Sequence, residues 1–366
     1  MRVALVCDWF LPRMGGIELH LRDLALALRG GGIDARIVTP TRGDDHVDGV
    51  PVHRVRTALA PGARVAWTPG VLGTVERVIR DERFDLVHAH ASIVSPAAFA
   101  GAVAARWSET PSLITFHSML HRASFLLGAS EALFSWKAGG VVLTAVSSVV
   151  AEQVARWIPQ ANVGVLPNGI DSSFWRALPA RPPSEEVVFV SAIRLTRKKR
   201  PLRLVRAFAE AVRFVAGSPK LRLLVAGDGP EREAMRRVAA ELGVGDRVEL
   251  LGHRSREELR ALYARSHAFV LPSERESFGI AALEAKAAGL PVVAMLASGV
   301  RDFVRQGVDG LLARDELELA RHISRMALDA PFRSYVRHRN ATVPPPYDWS
   351  DVRAIHLQLY ELAARG

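Results

Sequence analysis

Glu276 and Glu284 stand eight apart in the run Pro272-Ser273-Glu274-Arg275-Glu276-Ser277-Phe278-Gly279-Ile280-Ala281-Ala282-Leu283-Glu284. The apolar residues Ala268 to Leu271 predict a strand that stops at Pro272. Helical spacing starts near Phe278, and Gly289-Leu290-Pro291 closes the helix. Glu276 then belongs to the loop above a strand's carboxyl end, where ligands collect in open parallel sheets, while Glu284 lies more than one turn into the helix. Carboxylates placed in this way could meet a sugar and a ribose. The backbone amides of Ser277, Phe278, Gly279 and Ile280 could meet a phosphate, because a helix start has unpaired N–H groups and a positive dipole end. The bland account of the same residues has Glu276 capping the helix and Glu284 on its solvent face.

Two further segments carry matching chemistry. Val190-Ser191-Ala192-Ile193-Arg194-Leu195-Thr196-Arg197-Lys198-Lys199-Arg200-Pro201 reads as strand, basic loop and helix. Arg194 and Lys199 could clamp a diphosphate, the guanidinium by paired hydrogen bonds and the ammonium as a point charge. Arg197, Lys198 and Arg200 read as a solvated charge run. Val225-Ala226-Gly227-Asp228-Gly229-Pro230 starts like a dinucleotide fingerprint, but Arg232 fills the third glycine's place. Gly227 is therefore equally a ligand contact or a tight-turn glycine.

The elements that must position these residues follow from periodicity. Short Val- and Leu-rich runs alternate with helix-period segments along all 366 residues, the pattern of parallel strands joined by crossover helices. Strands are expected at 3–7, 35–39, 86–89, 112–116, 141–145 and 163–166, then at 187–192, 221–226, 248–250, 268–271, 291–294 and 310–312. The fold class is α/β, in two doubly wound halves. Residues 1–168 form one domain and 169–348 the other, with a proline-rich linker over Pro167 to Glu186 and a separate terminal helix over 349–366 packing back on the first domain.

Composition narrows the function classes. Hydrophobic residues make up 49% and charged ones 23%, values of an ordinary globular chain. The net charge is +10, most of it beyond residue 180. No basic stripe interleaved with aromatics accompanies it, which argues against a nucleic-acid partner. Cys7, the only cysteine, sits in an apolar run and reads as a core residue. The absence of a disulfide, a leader peptide or a spanning segment leads to the expectation of a cytoplasmic protein.

The three segments, in this order and spacing, resemble the retaining family 4 glycosyltransferases of the GT-B fold. The resemblance extends through Asp8-Trp9-Phe10-Leu11-Pro12-Arg13-Met14-Gly15-Gly16-Ile17-Glu18, the strand Phe84 to His90, Thr115-Phe116-His117-Ser118 and Leu166-Pro167-Asn168-Gly169-Ile170-Asp171. It looks nearest the phosphatidylinositol N-acetylglucosaminyl- and mannosyltransferase branch. The resemblance implies two Rossmann-like domains facing across a cleft, acceptor in the first and donor in the second. It further implies that Arg194 and Lys199 hold the donor diphosphate, that Glu284 binds the ribose and that Glu276 binds sugar hydroxyls. Gly16 would let a backbone amide approach the donor phosphate or the acceptor, and His117 would hydrogen-bond the transferred sugar. His88 and His90 are expected on opposite sides of their strand, hence structural.

The chain departs from the family pattern at Ser298-Gly299-Val300-Arg301-Asp302, where many relatives have two glycines and a glutamate, and at Arg200, where many have glycine. No Asp-x-Asp occurs, and Asp44-Asp45-His46-Val47-Asp48 has no second ligand cluster, so neither a metal nor a cofactor is expected. The favoured donor is a UDP-sugar, with GDP-mannose next. The acceptor is a small molecule or a lipid headgroup. Leu120 to Gly139 could touch a membrane from the inner face, although core packing is the favoured reading. The rivals are a sugar-nucleotide epimerase or NAD-dependent oxidoreductase on doubly wound domains, and a non-catalytic subunit that only binds a sugar nucleotide.

Overall fold

The computed structural model describes residues 1–55, 69–92, 94–119, 140–158, 161–176 and 186–365, together with Gly128, Glu131 and Ser135. Most of the membrane-contact segment Leu120 to Gly139 and much of the expected linker lie outside the described residues. The chain divides into two compact units, Met1–Gly169 with Tyr347–Gly366, and Ile170–Pro346.

The first unit holds an eight-stranded sheet in the order β3-β4-β2-β1-β5-β6-β7-β8. Its strands are β1 Arg2–Cys7, β2 Asp34–Thr39, β3 His46–Val47, β4 Val50–Arg54, β5 Leu86–Ala91, β6 Ser112–Phe116, β7 Val142–Ala145 and β8 Val163–Val165. All neighbours pair in parallel except β3 with β4. Among the described residues its helices include α1 Gly16–Gly30, α2 Pro69–Asp81, α3 Pro96–Trp107 and α4 Ser148–Trp157, with the terminal helix Trp349–Arg365. Strand β1 shows why the sheet is covered on both sides. Val3, Leu5 and Cys7 point into a core with Leu21, Leu24 and Leu28 of α1 and Tyr360 of the terminal helix, whereas Ala4 and Val6 pack with Val75 and Ile79 of α2 and Ala97 of α3.

The second unit starts with a short helix, α5 Ser172–Trp175, and contains a fully parallel six-stranded sheet in the order β11-β10-β9-β12-β13-β14. These strands are β9 Glu186–Ala192, β10 Lys220–Ala226, β11 Val248–Gly252, β12 Ala268–Leu271, β13 Val292–Met295 and β14 Gly310–Ala313. Its longer helices are α6 Pro201–Val215, α7 Arg232–Glu241, α8 Arg256–Ala264, α9 Ile280–Ala287, α10 Glu316–Leu328 and α11 Ala330–Thr342, which makes the terminal helix α12. Strand order reverses beside β9, between β10 and β12, a switch point of the kind at whose strand carboxyl ends ligands bind in open parallel sheets.

Candidate active site

Three loops meet the switch point of the second unit, one after each of β9, β10 and β12. The loop after β9 carries Arg194, turns once over Arg197–Lys199, and passes through Arg200 with φ 55° into α6. Lys199 Nζ lies 2.5 Å from Glu276 Oε2 in the loop after β12, the two side chains being 28% and 13% exposed. Ser273 Oγ donates to the Lys199 carbonyl at 2.9 Å and binds the two loops a second time. Lys199 has three N–H donors, so one can hold Glu276 while others remain for a ligand oxygen. Arg197 instead pairs with Glu231 at 3.2 Å and is exposed, as its charge-run reading requires.

The bland account of the glutamates does not describe what they do. Gly279, not Glu276, is the N-cap of α9, in a left-handed conformation with φ 93° and no side-chain cap. Glu284 is buried inside α9 at 8% exposure, next to the buried Tyr263 whose hydroxyl pKa it helps to raise after burial itself. Phe278 is buried against Phe303, and this anchors the start of the helix while Ser277, Gly279 and Ile280 complete the turn. The departure at Ser298 to Asp302 folds as a short turn whose Gly299 amide donates to the Glu276 carbonyl at 2.8 Å, so this segment braces the glutamate loop.

Gly227 packs against backbone. Its φ is 127°, and a Cβ there would stand 2.0 Å from the Ile193 carbonyl oxygen. Leu195 N–H donates to the Asp228 carbonyl at 2.9 Å and Glu231 N–H to the Leu195 carbonyl at 3.0 Å. The glycine turn therefore clasps the Arg194 loop, a role that its fingerprint-like spacing did not suggest.

Gly16 and His117 belong to the first unit. Gly16 opens α1, and a Cβ on it would meet no described atom within 4 Å, so internal packing does not demand glycine there. His117 follows β6, is 6% exposed, and places Nε2 3.0 Å from His90 Nδ1. Burial, reinforced by His356, holds its pKa down to about 3, which makes it a neutral imidazole. The expectation that His88 and His90 occupy opposite sides of their strand is incorrect. Residues two apart in a pleated strand share a face, and the two rings lie 4.0 Å apart on the same side. His90 thereby reaches His117, a contact that correct use of the period-two rule would have revealed.

Among the described residues no group of three or more His, Cys, Asp or Glu side chains could hold a metal ion. No helix there is long and apolar enough to cross a membrane.

Residues 14–174 match the family described as Glycosyltransferase Family 4, and residues 177–342 match that described as Glycosyl transferases group 1. The chain belongs to glycosyltransferase family 4. Enzymes of this family are retaining, metal-independent hexosyltransferases, and the two parallel α/β sheets give this glycosyltransferase the GT-B fold. It is 26% identical to an uncharacterized glycosyltransferase of Methanocaldococcus jannaschii, over 99% of this chain and 98% of that one. Identity is 25% to a phosphatidylinositol N-acetylglucosaminyltransferase component of Arabidopsis thaliana, over 96% and 80%. The Anabaena protein Alr3699/HepE, solved in complex with UDP-glucose, superposes with a TM-score of 0.76 at 20% identity, covering 99% of both chains. The glycosyltransferase transfers a sugar from a nucleotide sugar, which removes the epimerase and oxidoreductase readings.

Proposed function

We propose that the glycosyltransferase moves a hexose or N-acetylhexosamine from a UDP-sugar, before GDP-mannose, to a small-molecule or lipid-headgroup acceptor. The second unit, Ile170–Pro346, takes the donor and the first unit takes the acceptor. The observation that carries the reading is the Lys199–Glu276 pair at the switch point, a cation for a diphosphate coupled at 2.5 Å to a carboxylate for sugar hydroxyls. Arg194, in the same loop, adds the bidentate partner for the phosphates. Glu284 receives the ribose, and the amides from Ser277 to Ile280 at the start of α9 complement phosphate charge. As the bond to the anomeric carbon breaks, negative charge grows on the leaving diphosphate, and Lys199 and Arg194 stabilise it most in that state. The leaving phosphate then helps to take the acceptor hydroxyl's proton on the same face, which retains configuration. UDP is favoured by the UDP-glucose complex of Alr3699/HepE and by the N-acetylglucosaminyl transfer named for the Arabidopsis protein.

A screen of UDP-glucose, UDP-N-acetylglucosamine and GDP-mannose, following nucleotide release with and without chelator, tests the proposal. UDP release that survives chelation is expected. No release from any donor with any acceptor would favour a subunit that binds without catalysing. A lipid-headgroup acceptor would bring this protein of the cytoplasm to the inner face of a membrane, where vesicles bearing that headgroup would retain it on sedimentation.

A further inference from the structure

Five buried histidines gather in the first unit. They are His20 on α1, His88 and His90 on β5, His117 after β6 and His356 on α12. Trp349 of α12 stacks on His20 with ring centres 5.4 Å apart, and the His20 ring stands 5.6 Å from that of His117. Hydrogen bonds occupy both ring nitrogens of one member: His88 Nε2 lies 2.7 Å from the Thr115 hydroxyl, itself 2.7 Å from that of Thr144, and His88 Nδ1 lies 3.0 Å from the Tyr360 hydroxyl. With both nitrogens occupied, His88 is closed to His90.

His90 is left with His117. Its Nδ1 is 3.0 Å from His117 Nε2, and its own Nε2 is buried with no hydrogen-bond partner among the described residues. One of two arrangements holds. If His117 donated, the proton of neutral His90 would sit on Nε2 as a buried N–H with no acceptor. If His90 donates, the orphan on Nε2 is a bare lone pair. Buried donors without partners are rarer than under-satisfied acceptors, which favours the second arrangement.

We propose that His90 is a positioning residue for the transfer reaction: it donates Nδ1–H to His117 Nε2 and so fixes His117 with its own proton on Nδ1, a neutral donor for the sugar. The proposal rests on the reading of His117 as a sugar contact. Burial, aided by the neighbouring rings, holds both imidazoles far below the ordinary histidine value, so neither gains a second proton that would blur the arrangement.

Long-range 15N–1H spectra of histidine-labelled full-length protein read the tautomer directly, with the His117 signals assigned by their loss in His117→Ala. Wild type is expected as Nδ1–H at residue 117. His90→Leu should mix the tautomers and lower kcat on UDP-glucose by about tenfold with KM unchanged, since only alignment at the reacting centre is lost. His90→Asn places an amide N–H where Nδ1 was and should restore both the spectrum and most of kcat. A wild-type His117 carrying its proton on Nε2 overturns the proposal whatever the kinetics, and so does His90→Leu with the wild-type tautomer and kcat. If His117→Ala turns over UDP-glucose at the wild-type rate, it is the sugar-contact reading that fails, and the spectra keep that failure distinct.

Discussion

Glu276→Gln should separate nucleotide binding from turnover, and in opposite directions. In the free protein the carboxylate neutralises Lys199 at 2.5 Å. A phosphate oxygen taken by the same ammonium at about 2.8 Å would stand about 5 Å from Glu276. Two like charges at that separation repel by about 3 kcal/mol at an effective permittivity of 20 and by about 1 kcal/mol at that of water. With side chains 28% and 13% exposed the site is partly wet, and the lower figure applies. Removing the charge should then tighten UDP about fivefold. The glutamine oxygen still accepts from Lys199, so stability should fall by no more than about 1 kcal/mol, or about 4 °C in melting temperature. Turnover should nonetheless drop ten- to a thousandfold, on the order expected when the reacting carbon loses its alignment. Titration calorimetry with UDP, kcat on UDP-glucose and a melt of the same preparation measure all three. UDP binding weaker than wild type would refute the reasoning, because it would make Glu276 a nucleotide contact and not a sugar contact.

Three further outcomes are expected. Glu284→Gln should raise KM for the donor by about tenfold and leave kcat within a few fold, since a ribose contact formed equally in ground and transition states acts on binding; a kcat loss with unchanged KM would contradict it. Gly227→Ala should cost about 3 kcal/mol or more and weaken UDP binding without touching the nucleotide, because the new Cβ would stand 2.0 Å from the Ile193 carbonyl and push the Arg194 loop; a melt within about 2 °C of wild type would show that the turn yields. Stability should fall as pH drops below about 6.5. There the unfolded histidines take up protons that buried His20, His88, His90, His117 and His356 refuse, each contributing up to about 1.4 kcal/mol per pH unit. Asp8 opposes this, since burial raises it to about 6 and its protonation favours the folded state as pH falls, but one carboxyl faces five imidazoles. A melting temperature as high at pH 5 as at pH 7.5 would contradict the sum.

Period and punctuation made the strands legible. Ser112–Phe116 and Ala268–Leu271 occur at the residues expected, and most other strands within one or two positions. Strands β3 and β4 escaped because His46–Val47 is too short for any period, and Val50–Arg54 has only two apolar residues in alternation, with a proline between them that argues against a strand. Helix α3 carries no such period: PAAFAGAVAARW is apolar all round, as suits a helix buried on nearly every face, so no stripe marks it. The carboxyl-end placement of Arg194, Lys199 and Glu276 followed from strand ends alone, but their pairing did not, because it depends on β9 and β12 being neighbours across 77 residues of sequence. Arg200 shows what a motif comparison registers without explaining. It stands where relatives often have glycine, and its φ of 55° is the left-handed conformation that glycine takes without strain. The terminal helix groups with the first unit, but which of its side chains complete the histidine cluster, Trp349, His356 and Tyr360, is a long-range detail that local sequence does not encode.

Whether the loops after β9 and β12 hold a nucleotide-sugar donor is decided most directly by a crystal structure of the full chain with UDP. The diphosphate is expected within hydrogen-bond distance of Arg194 and Lys199, and the ribose hydroxyls on Glu284. A diphosphate seated on the Gly227–Gly229 turn with Lys199 and Arg194 unengaged would contradict the proposed donor site.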